Sequence, residues 1–115
     1  MEFQYNIEEK SEYNLIKIHG NLIEKGQAVP LLDQVDELLE KDSTNFIVDM
    51  SDFKYMNSTG LNVLLNILTK ARKSGGEAVI CAVPEKIKSL LVITKLINVF
   101  SVVDNEDAAI ADLTN

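Results

Sequence analysis

Apolar and polar residues alternate through Phe3-Gln4-Tyr5-Asn6-Ile7, the period of a half-buried strand. Tyr13 to Ile18 repeats the pattern, with Tyr13, Leu15 and Lys17 on one side and Ile16 and Ile18 between them. The polar stretch Glu8 to Glu12 is short enough to join the two as a hairpin, and Gly20 is expected to close the second strand. After a loop over 21–29, Pro30 suits the first turn of a helix. Leu31, Leu32, Val35, Leu38 and Leu39 then recur at spacings of three and four, so the stretch from Pro30 to Lys41 predicts an amphipathic helix. Phe46-Ile47-Val48 is a continuous apolar run, as in a strand covered on both faces, and Asp49, Ser51 and Asp52 are expected to break it.

A wider helical stripe follows Asn57-Ser58-Thr59-Gly60: Leu61, Leu64, Leu65, Leu68 and Ala71, with Val63 and Ile67 beside them. Lys70, Arg72 and Lys73 suit the negative end of that helix, and Gly75 or Gly76 its cap. Glu77 to Val83 reads as another buried strand. Pro84 opens a third helix with Ile87, Leu90, Leu91 and Thr94 facing inward. Phe100 to Val102 reads as a last strand. Asp104 is the expected N-cap of a final helix carrying Ala108, Ile110, Ala111 and Leu113, with Asp107 completing a capping box. The order ββαβαβαβα predicts an α/β fold: a mostly parallel mixed sheet of about five strands with about four helices and an antiparallel N-terminal hairpin. The 115 residues are expected to form one domain over 1–115.

Composition narrows the chemistry. The net charge of −7 speaks against a nucleic-acid binder, which needs a surplus of cations to neutralise phosphates. The charge is uneven: residues 1–57 carry a net −7 and residues 58–115 a net zero, within which Lys70 to Lys95 carries +4. An acidic face and a mildly basic one are expected. One cysteine, Cys81, and one histidine, His19, leave neither a disulfide nor a thiolate–imidazole zinc site. Cys81 lies mid-strand, where a thiol is usually buried and inert. His19, at a strand end, reads as a surface residue. The opening residues Met1 to Asn6 predict no secretory leader, no apolar run reaches about 20 residues, and the expected compartment is the cytoplasm. For the same reason the Asn57-Ser58-Thr59 glycosylation sequon is set aside. Neither a phosphate-cradling glycine loop nor a Gly-x-Ser-x-Gly elbow is present, and no cofactor or metal is implied. Asp49 and Asp52 are two carboxylates near one turn, a thin basis for a cation site.

Open α/β sheets place their sites beyond the carboxyl ends of strands. Here that is the turn from Asp49 through Gly60, where Ser58 and Thr59 stand at the amide end of the most apolar helix. A hydroxyl there has two readings. It marks a site, or Asn57 or Ser58 simply caps the helix.

The segment Asp52-Phe53-Lys54-Tyr55-Met56-Asn57-Ser58-Thr59-Gly60-Leu61-Asn62-Val63-Leu64-Leu65 resembles the signature of STAS domains, specifically of the bacterial anti-sigma factor antagonists. The resemblance extends to Gly20-Asn21-Leu22, to Phe46–Asp49 and to the Gly75-Gly76 turn, and so covers essentially the whole chain. It implies a non-enzymatic protein that binds an anti-sigma factor of the ATP-binding serine kinase type, releases a sigma factor, and is switched off when that kinase phosphorylates Ser58. A serine phosphatase would reset it. The implied contact residues are Asn21, Asn57, Ser58, Thr59, Gly60 and Asn62. Two departures stand out: Asn57 replaces the family's usual aspartate, and Gly20-Asn21-Leu22-Ile23 replaces Gly-Glu-Leu-Asp, with the next acid, Glu24, one place late. The alternatives are an accessory subunit of a lipid-transport ATPase complex, a scaffold that works without phosphorylation, or a sensor binding a nucleotide or anion at the helix end.

Overall fold

The computed structural model describes residues 2–114. The elements run β1 (Gln4–Glu9), β2 (Asn14–Leu22), a 3-10 turn (Lys25–Ala28), α1 (Val29–Glu40), β3 (Asn45–Met56), α2 (Ser58–Lys73), β4 (Glu77–Cys81), α3 (Glu85–Ile93), a second 3-10 turn (Leu96–Asn98), β5 (Ser101–Val103) and α4 (Glu106–Thr114). One sheet holds the strands in sequence order, β1-β2-β3-β4-β5. The hairpin pair β1–β2 is antiparallel and every other pair is parallel, as the alternation of elements predicts.

The sheet separates two apolar layers. Ile16, Ile18, Leu22, Phe46, Val48 and Ile80 pack against the inner faces of α1, α2 and α3. Leu15, Ile47, Val79 and Cys81 point the other way and cluster with Ala109 of α4, with Tyr13, Val103, Ile110 and Leu113 packed against them. The inward residues of α1 and α2 are the expected ones: Leu31, Leu32, Val35 and Leu38, and Leu61, Val63, Leu64, Ile67, Leu68 and Ala71.

Five expectations are corrected. Strand β2 does not stop at Gly20 but runs to Leu22. Strand β3 does not break at Asp49: it continues for seven more residues, to Met56. The reason lies in Met50, Phe53 and Met56, all buried yet spaced by three, which no regular strand can place on one face. Two register shifts against β2 resolve this. Lys17 faces Asp49 while His19 faces Asp52, and Gly20 faces Phe53 while Asn21 faces Tyr55. Each shift inserts one extra residue into β3, a bulge that turns the next apolar side chain back to the core. At the third helix, Thr94 does not face inward; it is exposed, and its hydroxyl donates to the carbonyls of Leu90 and Leu91. At the last helix the N-cap is Asn105, not Asp104: the Asn105 Oδ1 accepts from the Ala108 N–H at 2.8 Å. Ala109, rather than Ala108 or Ala111, is its buried residue.

The cap at Gly75-Gly76 matches the reading. Gly75 has φ +88°, Gly75 N–H donates to Arg72 O, and Gly76 N–H donates to Ala71 O. That is the paired bonding of a Schellman motif.

Candidate functional site at the opening of the second helix

The site is built where β2 and β3 end side by side, with Leu22 opposite Met56. Asn57 leaves the strand with φ −100° and ψ −167° and becomes the N-cap of α2. Its Oδ1 accepts from the Gly60 N–H at 3.1 Å, satisfying one of the open amides of the first turn. Its Nδ2 donates to the Ile23 carbonyl at 3.1 Å, across 34 residues of sequence. One side chain thus fixes the helix start and ties it to the segment leaving β2. On that segment, Gln27 Oε1 accepts from the N–H groups of Ile23 and Glu24 at 2.9 and 3.0 Å.

Gly60 is where helix and strand come closest. A Cβ there would lie 2.6 Å from the Leu22 carbonyl oxygen and 2.7 Å from the Met56 Cβ. Only a glycine lets the first turn of α2 sit down on the ends of β2 and β3. That close seat turns Ser58, the first residue of the helix, outward: it is exposed, whereas Gly60 and Leu61 are buried.

Two depressions flank the turn. On one side Thr59 and Asn62 line a cavity of about 210 Å³ with Lys25, Leu32, Val63 and Asn66. On the other, Ser58 and Asn57 line a groove of about 410 Å³ with Tyr55, Met56, Lys86, Ile87, Leu90 and Ile93. The walls of this groove are mainly apolar, and Ile93 and Tyr55 are 77% and 53% exposed. Exposed apolar side chains gathered around a polar turn mark a surface suited to another protein.

Of the residues singled out in the sequence, Asn57, Ser58, Thr59, Gly60 and Asn62 come together here. Asn21 does not join them directly. It is half-buried on β2 opposite Tyr55 and lines neither depression. Glu24, the displaced acid, is exposed at the start of the 3-10 turn. The wall contributed by α3 was not foreseen. Its signal is the run Leu90-Leu91-Val92-Ile93, four apolar residues in succession, which is one more face than a short amphipathic helix can bury.

The other candidates lie elsewhere. His19 Nδ1 is 3.6 Å from Asp52 Oδ2 on the open face of the sheet, and Asp49 accepts from the Ser51 N–H at 2.9 Å. No group of three or more His, Cys, Asp or Glu side chains is placed to hold a metal ion among the described residues. Cys81 is buried, and burial, aided by Asp49, pushes its thiol up to about 12. None of the described helices is long and apolar enough to cross a membrane.

Residues 4–109 match the family model of the STAS domain. The chain belongs to the STAS domain family. Over 98% of its length this STAS domain is 21% identical to the anti-sigma F factor antagonist of Paenibacillus polymyxa, of which it covers 97%. Its fold superposes with a TM-score of 0.86 on a Thermotoga maritima protein described as an anti-sigma factor antagonist, at 22% identity over 96% of this chain and 95% of that one. It also superposes on the anti-sigma factor antagonist SpoIIAA in an unphosphorylated form, with a TM-score of 0.74 at 13% identity over 95% of this chain and 96% of that one. For a phosphorylated form of SpoIIAA from Bacillus the TM-score is 0.73 at 14% identity, over 95% of this chain and 98% of that one. The five-stranded mixed sheet with four helices is the fold these structures share.

Proposed function

We propose that this STAS domain is an anti-sigma factor antagonist that works by binding and carries out no catalysis itself. It docks on an anti-sigma factor of the ATP-binding serine kinase type through the Ser58 turn, the first turns of α2 and the groove beside them. The observation that supports this most is the outward position of Ser58, a free hydroxyl at the first position of α2 on the edge of an exposed apolar groove. A relative of the same fold that exists in phosphorylated and unphosphorylated forms adds weight to a switch by phosphorylation.

The switch itself is simple chemistry. The Ser58 oxygen bonds to the γ-phosphorus of ATP while the bond from that phosphorus to the β,γ-bridging oxygen breaks. The hydroxyl proton passes to a base of the kinase and ADP leaves. The product carries about −1.5 to −2 charge where a partner must lose water to dock. Burying that charge without a matching cation costs several kcal/mol, enough to release the partner without refolding the domain. A serine phosphatase then restores the hydroxyl. Thr59, half-buried in the opposite cavity, is the supporting hydroxyl rather than the acceptor.

Two measurements test the proposal. Incubation with the cognate kinase and ATP is expected to add the mass of one phosphoryl group to the wild-type chain and none to Ser58→Ala. In pulldown from native lysate, Ser58→Asp is expected to keep its circular dichroism spectrum and recover at least tenfold less anti-sigma factor than wild type. Equal recovery by the two chains removes Ser58 from the interface.

A further inference from the structure

The groove beside Ser58 holds one charge. Lys86, in the first turn of α3, lines it together with Ser58, and no other charged side chain is in its lining. Lys86 is exposed and takes part in none of the ion pairs among the described residues. Tyr55, Leu90 and Ile93 line the same groove. The other charged groups on the elements around it are Asp49, Asp52 and Lys54 on β3, Glu24 and Lys25 at the 3-10 turn, Lys70, Arg72 and Lys73 at the far end of α2, and Glu85 and Lys88 on α3, all outside the lining. Asn57, the nearest neighbour of Ser58 in the groove, is neutral and does not compete for the ammonium.

We propose that Lys86 is the resident counter-ion of a phosphoryl group on Ser58, and that the resulting pair lies across the groove and covers the apolar wall a docking partner needs. This rests on reading Ser58 as the modified residue. A phosphoserine offers three acceptor oxygens and the ammonium three donors, so the two bond in many relative orientations. The mainly apolar lining of the groove holds less water than an open polar surface and so screens the attraction less. Phosphorylation then does more than add a repulsive charge. It draws the long side chain of Lys86 over Leu90 and Ile93, and the modified chain hides part of its own interface.

The experiment places phosphoserine at position 58 during translation, by an expanded genetic code, so that no kinase is involved. The phosphate's second ionisation is followed by ³¹P NMR in the otherwise wild-type chain, in Lys86→Gln and in Lys88→Gln. Its midpoint is expected to lie about 0.5 unit or more lower in the wild-type background than in Lys86→Gln, because a nearby cation favours the dianion. Lys88→Gln, two residues further along the same helix and outside the groove, is expected to titrate like wild type. Amide ¹H–¹⁵N signals of Leu90 and Ile93 are expected to shift on phosphorylation in the wild-type background and not in Lys86→Gln. Coincident curves for wild type and Lys86→Gln, or an equal displacement by Lys88→Gln, overturn the pairing. Unmoved Leu90 and Ile93 amides in the wild-type background overturn the covering of the groove. A chain that no kinase phosphorylates yet shows the Lys86-dependent midpoint would lose the switch proposed above and keep this pairing. The reverse result would do the opposite.

Discussion

Asn57 joins two parts of the molecule with one amide. Its oxygen caps α2 through the Gly60 N–H and its nitrogen holds the Ile23 carbonyl. The two roles can be separated by substitution. Asn57→Ala loses both bonds and is expected to cost about 1–2 kcal/mol. Asn57→Asp keeps an acceptor for Gly60 and gains about 0.3–1 kcal/mol from a negative charge at the helix N-terminus. It has no hydrogen to offer Ile23, which costs about 1 kcal/mol. The expected order of urea midpoints is therefore wild type close to Asn57→Asp, with Asn57→Ala clearly lower. An alanine variant as stable as wild type would show that the cap contributes nothing. An aspartate here, the residue expected from the family resemblance, would thus serve the cap but not the tie to Ile23. At this scale the sequence shows the capping residue, the hydroxyl and the glycine, because they are neighbours along the chain. It does not show what the glycine is for. The Leu22 carbonyl that excludes a Cβ at Gly60 is 38 positions away, and its approach exists only once β2 and β3 are paired.

Helices α1 and α2 were legible in the spacing of their leucines because each buries one continuous stripe. Strand β3 was legible only as far as Val48, because its later apolar residues follow the spacing its bulges create rather than the spacing of a strand. Helix α4 was legible as an element but not in its inward face, and the reason is that it has little inward face: Ala109 alone is fully buried. What holds α4 is partly polar. Tyr13 Oη donates to Glu106 Oε2 at 2.7 Å, and Ser101 Oγ to Asp112 Oδ2 at 2.9 Å. A helix with so little buried apolar surface should open without unfolding the rest. Native-state hydrogen exchange is expected to show α4 amides exchanging well before those of α2. Tyr13→Phe removes a hydrogen bond of about 1 kcal/mol that is broken both when α4 opens alone and when the whole chain unfolds, so it should speed exchange roughly fivefold in both helices, with α4 still the faster. Equal protection of the α4 and α2 amides in the wild-type chain would mean that α4 opens only with the whole fold.

Over the whole molecule, the two sides of the sheet are unequal. Three helices cover one face, and α4 covers only part of the other, leaving polar side chains such as Lys17, His19 and Asp52 along its open portion. Two ionisable groups sit under or beside α4, and both hold their protons unusually tightly. Tyr13 is raised from 10.0 to about 12, first by its bond to Glu106 and then by burial. Cys81 is raised from 9.0 to about 12, mainly by burial. A folded-state value above the unfolded one means that the folded chain keeps a proton the unfolded chain has lost. Between about pH 9 and 12 the native state therefore binds more protons, and stability falls as pH rises, less steeply for the largely solvated Tyr13 hydroxyl than for the buried Cys81 thiol. The contribution is intact below the unfolded values and gone above pH 12. Urea midpoints measured from pH 8 to 11.5 are expected to decline with a slope that steepens above pH 9. Tyr13→Phe is expected to be less stable than wild type at pH 8 and to decline less steeply above pH 10, so that the two curves converge. Parallel curves would show that the Tyr13 hydroxyl titrates alike in both states. The Glu106 bond would then leave no mark on the alkaline limit of the fold, and α4 would owe its place to the apolar contacts of Ala109, Ile110 and Leu113 alone.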